Sequence, residues 1–304
     1  MKQLFLILFS CILLTVNAQD WNIPKVGDGG WEVEQEFTLN KKRRNILLIS
    51  EASAYTVALV GLNQLWYADY PKSSFHFIND NEEWLQMDKM GHMSASYYTG
   101  VAGIKAYEWA GFSRKNAIWY GGMTGSIFLT VIEVLDGTSE QWGASSGDLI
   151  ANTTGSLLAI GQALKWNEQR IQLKYSYSPS NMAANNPEQL GSNHLERALK
   201  DYNGQTYWLT LNLKSLLQIE NPNFPSWLSL ALGYGADEMV NPYHEEGDAE
   251  RYRQFLMSFD VDLNKIKTKN KTLNSVLHTF GFLKFPTPAI QYRNGNIFFH
   301  PIYY

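Results

Sequence analysis

The sequence contains a single cysteine, Cys11, among its 304 residues. This cysteine lies inside an apolar run with the layout of a secretory signal: Lys2 gives the positive start, Leu4 to Val16 the apolar core, and Val16-Asn17-Ala18 a small-residue cleavage site. A lipid-modified cysteine would close the apolar run instead of lying within it. We therefore expect residues 1–18 to be removed as a signal peptide, which leaves no thiol for disulfides or catalysis.

Strong charge of either sign is also missing. The formal net charge is −4, charged residues make up 18% of the chain, and there is no long basic stripe. Nothing in this composition indicates a nucleic-acid partner. Aromatic residues are plentiful at 14%, which fits bulky cores, carbohydrate or lipid contacts, or the aromatic girdles of a membrane barrel.

After the signal, the patterning divides the chain into three parts. Residues 19–44 are polar, rich in glycine at first, and end in the basic run Lys41 to Arg44, which predicts an extended arm. Residues 45–166 contain long apolar segments separated by helix start and stop signals, such as Ser113 after Gly111. We expect a bundle of four helices there, and the many glycines inside it predict close helix–helix approach.

The first helical segment, Asn45 to Tyr67, is apolar enough to raise the question of a membrane anchor. Glu51, Asn63 and Gln64 interrupt it. The basic run before it would also face the wrong side of a membrane after a cleaved signal. We interpret the segment as a buried or peripheral helix rather than an inner-membrane span.

Residues 167–304 change to alternating apolar and polar periodicity, which predicts about six β-strands. Asn294-Gly295 suits a type I′ hairpin turn. Because eight strands are the usual minimum for a membrane barrel, we predict an antiparallel sheet or partial barrel packed with the helical bundle. The last strand, Asn296 to Tyr304, ends on an aromatic residue as outer-membrane barrel chains do, so outer-membrane attachment stays an alternative. The fold class is α+β.

The most unusual feature of the sequence is a set of charged and polar residues at the ends of the apolar helical segments, spaced three or four positions apart. On a helix, residues at these spacings share one face. Since such segments bury a face, we expect the residues to meet in one polar cluster at one side of the bundle. The pairs are Asp88 with His92, Glu133 with Asp136, and Asp148 with Asn152.

Several roles for this cluster stay open. Carboxylates and an imidazole are ligands for a divalent metal; the candidate ligands are Asp88, His92, Glu133, Asp136 and Asp148. Alternatively, His92, oriented by Asp88 or Glu133, acts as a general acid–base catalyst. Ligand recognition would use the same pocket, through Lys89, Asp136, Asp148 and Asn152. In a purely structural role, helix caps and hydrogen bonds lock the helices together, with Lys89 paired to Glu133 and Asn152 bridging helices.

Four blocks of sequence carry a resemblance; they are Phe75 to Asn81, Trp84 to Lys89, Glu133 to Gly137 and Asp201 to Trp208. They resemble a family of uncharacterised exported bacterial proteins labelled as predicted periplasmic lipoproteins of unknown function. More distantly, Asp88-Lys89-x-x-His92, Glu133 and Asp148-x-x-x-Asn152-x-x-Gly155 are similar to the pattern of VanZ-like proteins, which are four-helix membrane proteins associated with glycopeptide tolerance. This second resemblance implies a shared helical core and an envelope role, and it supplies no reaction.

We predict an exported cell-envelope protein that is not an enzyme, located in the periplasm or at the outer membrane of a Gram-negative-type envelope. Its expected partner is an envelope lipid or an envelope protein. The alternative is a metal- or histidine-dependent hydrolase or transferase acting on lipid or cell-wall substrates through the cluster. In that case the cluster should open onto solvent or lipid.

Overall fold

The computed structural model describes residues 39–68 and 70–304. The predicted signal peptide at 1–18 and the arm over residues 19–38 lie outside these described residues. Within them the protein is α+β, as predicted. Long helices fill the chain up to Trp166, and a six-stranded antiparallel sheet follows.

Four long helices precede the sheet: α1 is Lys41–Leu62, α2 is Met87–Trp109, α3 is Arg114–Gly137 and α4 is Ser146–Trp166. Lys41 to Arg44, which we placed in the extended arm, form the first turn of α1. Asn40 explains this earlier start, because its side-chain oxygen accepts a hydrogen bond from the Arg43 backbone N–H at 3.0 Å and so caps the helix.

Helices α2, α3 and α4 form the tightly packed part of the helical half. Their close approach depends on glycine, as predicted: a Cβ added at Gly103 of α2 would overlap the backbone of Gly121 in α3. A Cβ at Gly155 of α4 would likewise overlap the Met93 carbonyl of α2. These small residues let the backbones touch.

Helix α1 does not complete a four-helix bundle. Only 17% of its apolar stretch is buried, against 56% for α3. Ile49 and Val57 of α1 are both 66% exposed, so α1 lies at the periphery of a three-helix core. By length and composition alone, α1 and α3 are the two described helices that could cross a membrane.

The sheet is a continuous meander in the order β3-β4-β5-β6-β7-β8, and each neighbouring pair is antiparallel. Its strands are β3 Ile171–Tyr177, β4 Gln205–Asn212, β5 Leu228–Asp237, β6 Tyr252–Val261, β7 Thr287–Arg293 and β8 Asn296–Tyr303. Asn294 and Gly295 both have positive φ, as the predicted hairpin turn requires. Four short helices lie among the strands: α5 Pro187–Leu190, α6 His194–Lys200, α7 Leu213–Leu216 and α8 Lys271–Thr279.

Strand β3 joins the two halves. The Tyr97 hydroxyl of α2 and the Gln162 amide of α4 both donate to the Ile171 carbonyl, at 3.1 and 2.8 Å. A smaller parallel pairing joins β1, Phe77–Ile78, to β2, Ala144–Ser145. This pairing holds the loop after β1 against the start of α4, which is where the polar residues gather.

Candidate metal centre

Three helices bring the predicted polar residues together. Helix α2 contributes Asp88, Lys89 and His92 from its first two turns. Glu133 comes from the last turns of α3, and Asp148 from the first turn of α4. The close packing of these helices at their glycines places the side chains around one point.

His92 lies at the middle of this group, and its side chain is only 6% exposed. Its Nδ1 atom lies 2.9 Å from the Asn152 amide oxygen, which can only accept a hydrogen bond, so Nδ1 donates to it. The Nε2 atom points the other way. It faces three carboxylate oxygens: Asp148 Oδ2 at 3.7 Å, Asp88 Oδ2 at 3.8 Å and Glu133 Oε1 at 3.9 Å. These separations are longer than hydrogen bonds.

Each of the three carboxylates is anchored through its other oxygen. Asp88 Oδ1 accepts a hydrogen bond from the Tyr202 hydroxyl at 2.8 Å. Glu133 Oε2 accepts one from the Ser145 backbone N–H at 2.9 Å. The Lys89 ammonium lies 3.1 Å from Asp148 Oδ1. One oxygen of each acid is therefore fixed by the protein, and the other is aimed at the His92 Nε2 atom.

A fourth acid, Asp80, completes the surroundings of Lys89. Asp80 Oδ2 lies 2.5 Å from the Lys89 ammonium, and Asp80 Oδ1 accepts a hydrogen bond from the Ser145 hydroxyl at 2.5 Å. Ser145 also caps α4, since its hydroxyl accepts from the Asp148 backbone N–H at 3.1 Å. The loop after β1 and the start of α4 are thus joined through Asp80 and Ser145.

The turn that leads into α2 is strained. Trp84, Leu85 and Gln86 are three consecutive non-glycine residues with positive φ, and each such residue costs on the order of 1–3 kcal/mol. The sheet half holds this turn: the Pro242 carbonyl accepts from the Trp84 backbone N–H at 2.9 Å, and the Tyr234 hydroxyl donates to the Leu85 carbonyl at 2.5 Å. The strain fixes the point at which Asp88 enters the cluster.

The electrostatics of the cluster show an excess of acid. Burial raises the pKa of Glu133 to about 8; the nearby His92 opposes this rise and Asp148 adds to it. Burial, together with the neighbouring Asp88, also raises the pKa of Asp148. Burial disfavours the charge on Lys89, but the carboxylates around it hold its pKa above the usual range, so the ammonium stays protonated. Four carboxyl groups therefore surround one permanent cation, and burial disfavours the ionised form of two of them.

The donor set fits a divalent transition metal. Ligand atoms on a tetrahedral zinc ion lie roughly 3.3–3.5 Å apart, so the separations of 3.7–3.9 Å between His92 Nε2 and the three carboxylate oxygens would need to close by a few tenths of an ångström. The ligand atoms of Asp88, His92 and Asp148 all lie within 4.8 Å of one another. The imidazole favours zinc or iron over calcium or magnesium. The hydrogen bonds behind the ligands are of the kind that orient ligands in known metal sites.

Three sequence expectations about the cluster were wrong in detail. Asp136 is not among the acids that face His92; its Oδ1 accepts a hydrogen bond from the Tyr67 hydroxyl at 2.6 Å. Lys89 pairs with Asp80 and Asp148 instead of Glu133. The hydrogen bond that orients His92 comes from Asn152 and not from a carboxylate. Since Asp136 is three residues from Glu133, it lies on the neighbouring flank of α3.

Sequence reasoning missed three contributors: Asp80, Ser145 and Tyr202. Asp80 and Tyr202 lie in connecting segments with no helical spacing to the cluster, so periodicity gives no signal for them. Both fall within the blocks that carried the family resemblance. That coincidence was the one available hint.

The cluster is largely closed. The side chain of Asp88 is the most exposed of the three acids around Nε2, at 18%. A cleft of about 740 Å³ lies elsewhere, between α1 and the aromatic residues Tyr107, Trp119 and Tyr120. None of the acids around His92 lines that cleft.

Of the comparisons with known proteins, one found a match, and it lies within the helical half. The fold and site define an α+β protein with a buried polar centre. Residues 75–162 match the family model described as "Predicted periplasmic lipoprotein (DUF2279)". This match supports the family label and an exported, cell-envelope location. The matched stretch includes His92, Asn152 and all four acids of the centre, whereas Tyr202 lies beyond it. No curated protein and no solved structure matches the chain.

Proposed function

We propose that this protein is a non-enzymatic component of the cell envelope whose helical half is built around a divalent-metal centre. The observation that carries the proposal is the convergence of four anchored donors: His92 Nε2 and one oxygen each of Asp88, Glu133 and Asp148. Four protein donors make a closed coordination shell, which is typical of structural metal sites, whereas catalytic sites keep one position open.

The energetics support the same role. A divalent cation would offset the excess of buried carboxylates, and its binding free energy would add to the stability of the folded state. It would also tie α2, α3 and α4 together at the strained turn before α2. The proposed work of the centre is therefore to fix one arrangement of the helical half, in a protein that acts in envelope assembly or maintenance.

The proposal is tested by measuring the metal content of the protein purified from the envelope fraction without chelator. We expect close to one zinc or iron ion per chain, and a loss of that ion in His92→Gln and Asp148→Asn. Asp136→Asn is the matched control, because it changes a buried acid of the same bundle that does not face His92. A wild-type protein without metal, or equal loading in His92→Gln, contradicts the proposal.

A second candidate function is a metal-dependent hydrolase or transferase acting on lipid or cell-wall substrates. The favouring observation is that Glu133 has the longest separation from Nε2 and a pKa raised to about 8. If Asp88, His92 and Asp148 alone held the metal, a coordination position would stay open, and Glu133 would be a general base beside it.

Glu133→Gln separates the two candidates. A loss of metal in this variant identifies Glu133 as a ligand and supports the closed, structural centre. Retained metal identifies Glu133 as a non-ligand and supports the catalytic alternative. Similarity of the helical half to VanZ-like proteins stays a prediction; it agrees with an envelope role under either candidate.

A further inference from the structure

The six-stranded sheet has an inverted distribution of polarity. Along β6, Gln254, Ser258 and Asp260 point to the buried face. Phe255, Met257 and Phe259, which alternate with them, are about half exposed. An antiparallel sheet with one face in water normally buries its apolar face and exposes its polar one.

The inversion extends across the sheet, because the strand register aligns apolar residues into rows. One row runs Leu209, Leu232, Met257, Ile290 and Phe299 from β4 to β8. The next row runs Phe255, Tyr292 and Ile297. We call the surface formed by these two rows and Phe259 the outer face. Continuous apolar surface of this extent marks an interaction site.

The opposite face is concave and mostly polar, around a small buried apolar cluster of Trp208, Ala231, Leu256 and Ala289. The Tyr303 hydroxyl of β8 lies 3.0 Å from Thr206 Oγ1 of β4. In a flat sheet, strands four positions apart would be separated by roughly 19 Å, so the sheet must curl around its polar face. Inside the curl, the Lys174 ammonium lies 2.6 Å from Asp260 Oδ2, and both side chains are fully buried. Polar inside and apolar outside is the pattern of sheets that face lipid.

Aromatic residues mark both ends of the outer face. Trp227, Phe285 and Tyr304 lie at the end where β5 and β7 begin, and all three are at least 40% exposed. Tyr292, 50% exposed, lies at the other end, beside the exposed Arg253. Tryptophan and tyrosine concentrate where hydrocarbon meets headgroups.

We propose that the outer face of the sheet contacts the hydrocarbon of a phospholipid bilayer. In the described chain β8 has no strand on its far side, and an unpaired edge is not tolerated in hydrocarbon. The sheet therefore does not cross the membrane; only the side chains of its outer face enter the acyl region, as those of an interfacial amphipathic helix do. A second copy pairing along β8 is disfavoured by Pro301, which removes a backbone donor from that edge.

The test uses the mature protein after removal of the predicted signal peptide, which carries Cys11, with one new cysteine labelled with an environment-sensitive fluorophore. Phe299→Cys reports on the outer face, and Leu217→Cys is the matched control, because both residues are 67% exposed. Vesicles of phosphatidylethanolamine and phosphatidylglycerol are added. We expect a several-fold rise in fluorescence for the label at 299 and no change at 217. Equal responses at the two positions, or no response at 299, overturn the proposal.

Flotation of the unlabelled protein with the same vesicles identifies the surface responsible. Met257→Glu with Ile290→Glu changes a cross-strand pair that is about half exposed, so the protein should still fold, which an unchanged melting temperature checks. We expect this double variant to lose flotation and Ile49→Glu, on the exposed side of α1, to keep it. The reverse result assigns membrane contact to α1 and overturns the proposal. A lipid-free dimer that becomes a monomer in the double variant also overturns it, because a second copy then covers the outer face.

Discussion

The helical half and the sheet half both bury charge, but they balance it differently. In the sheet, Lys174 and Lys284 lie beside Asp260 and Asp262, so acids do not outnumber ammonium groups. In the helical half, four carboxylates face one ammonium, that of Lys89. Buried charge is stable only when it is paired. The sheet therefore balances its buried acids with its own ammonium groups, whereas the acids of the helical centre outnumber its ammonium, and the proposed metal would supply the missing positive charge.

The partners of each network show the same contrast. The Lys284 ammonium donates to Thr287 Oγ1 at 2.7 Å and to the Phe285 carbonyl at 2.8 Å. Asp260 Oδ1 accepts from the Phe285 backbone N–H at 2.8 Å. Around His92, by comparison, three carboxylate oxygens lie 3.7–3.9 Å from the Nε2 atom, which is longer than a hydrogen bond.

The largest expected effect comes from breaking the buried ion pair between Lys174 and Asp260 inside the sheet. Lys174→Met leaves Asp260 buried without its cation, so we expect the free energy of unfolding to fall by about 3–5 kcal/mol. Urea denaturation measures this loss, and added zinc should not reverse it. Lys174→Met combined with Asp260→Leu should recover most of the stability. A loss below about 1 kcal/mol in the single variant would show that the pair is not what holds the sheet interior.

The next effect concerns the polar cluster around His92 in the helical half. Asn152→Leu removes the acceptor that orients His92, and loss of such an outer hydrogen bond weakens metal binding by roughly 10–100-fold. Competition with a chromophoric zinc chelator measures the affinity, and Asp136→Asn serves as the unaffected control. Unchanged affinity in Asn152→Leu would mean that the orientation of His92 does not matter for the centre.

A smaller effect tests the packing that assembles the centre. In α4, Gly155→Ala places a methyl group against the Met93 carbonyl, and overpacking of this kind costs about 1–3 kcal/mol. Gly161→Ala in the same helix meets nothing within 4 Å and should stabilise by up to about 1 kcal/mol through helix propensity. Thermal unfolding compares the two. Equal effects would show that α4 does not depend on Gly155 to lie against α2.

The last effect is a pH dependence of the metal-free protein. The pKa of Glu133 rises from its ordinary value of 4.5 to about 8 in the folded state, so folding favours the protonated acid. Its contribution to stability is full below pH 4.5 and is lost as the pH rises to about 8. Melting temperatures across this range should fall with pH, and Glu133→Gln should make the decline shallower. An identical decline in both proteins would assign the effect to other groups.

Periodicity in the sequence predicted the α+β class, the six strands and the helices that bear the cluster. Predictions from residue spacing succeeded where the structure depends on near neighbours. Spacing of three or four residues places side chains on one helix face, and alternation defines the two faces of a strand. The burial of the strand faces did not follow from alternation, since the period is the same whichever face is buried. The apolar outer face of the sheet emerged only from the structure.

The composition of the centre shows where sequence reasoning stopped. Helical spacing paired Asp88 with His92 and Asp148 with Asn152, and all four lie together. The same spacing also admitted Asp136, because three residues along a helix turn a side chain by about 60° from its neighbour. The contact between Tyr202 and Asp88 could not be predicted from spacing. The two residues are more than a hundred positions apart, so their contact depends on how the helical half and the sheet pack together.

The most direct test of the metal centre is anomalous X-ray scattering at the zinc edge from crystals grown with zinc. We predict one strong peak at roughly 2.0–2.2 Å from His92 Nε2 and from one carboxylate oxygen each of Asp88, Glu133 and Asp148. We also predict no peak inside the sheet, where Lys174 already balances Asp260. A peak at another place in the chain, or none at His92, would contradict the account and leave the cluster as a lock between helices.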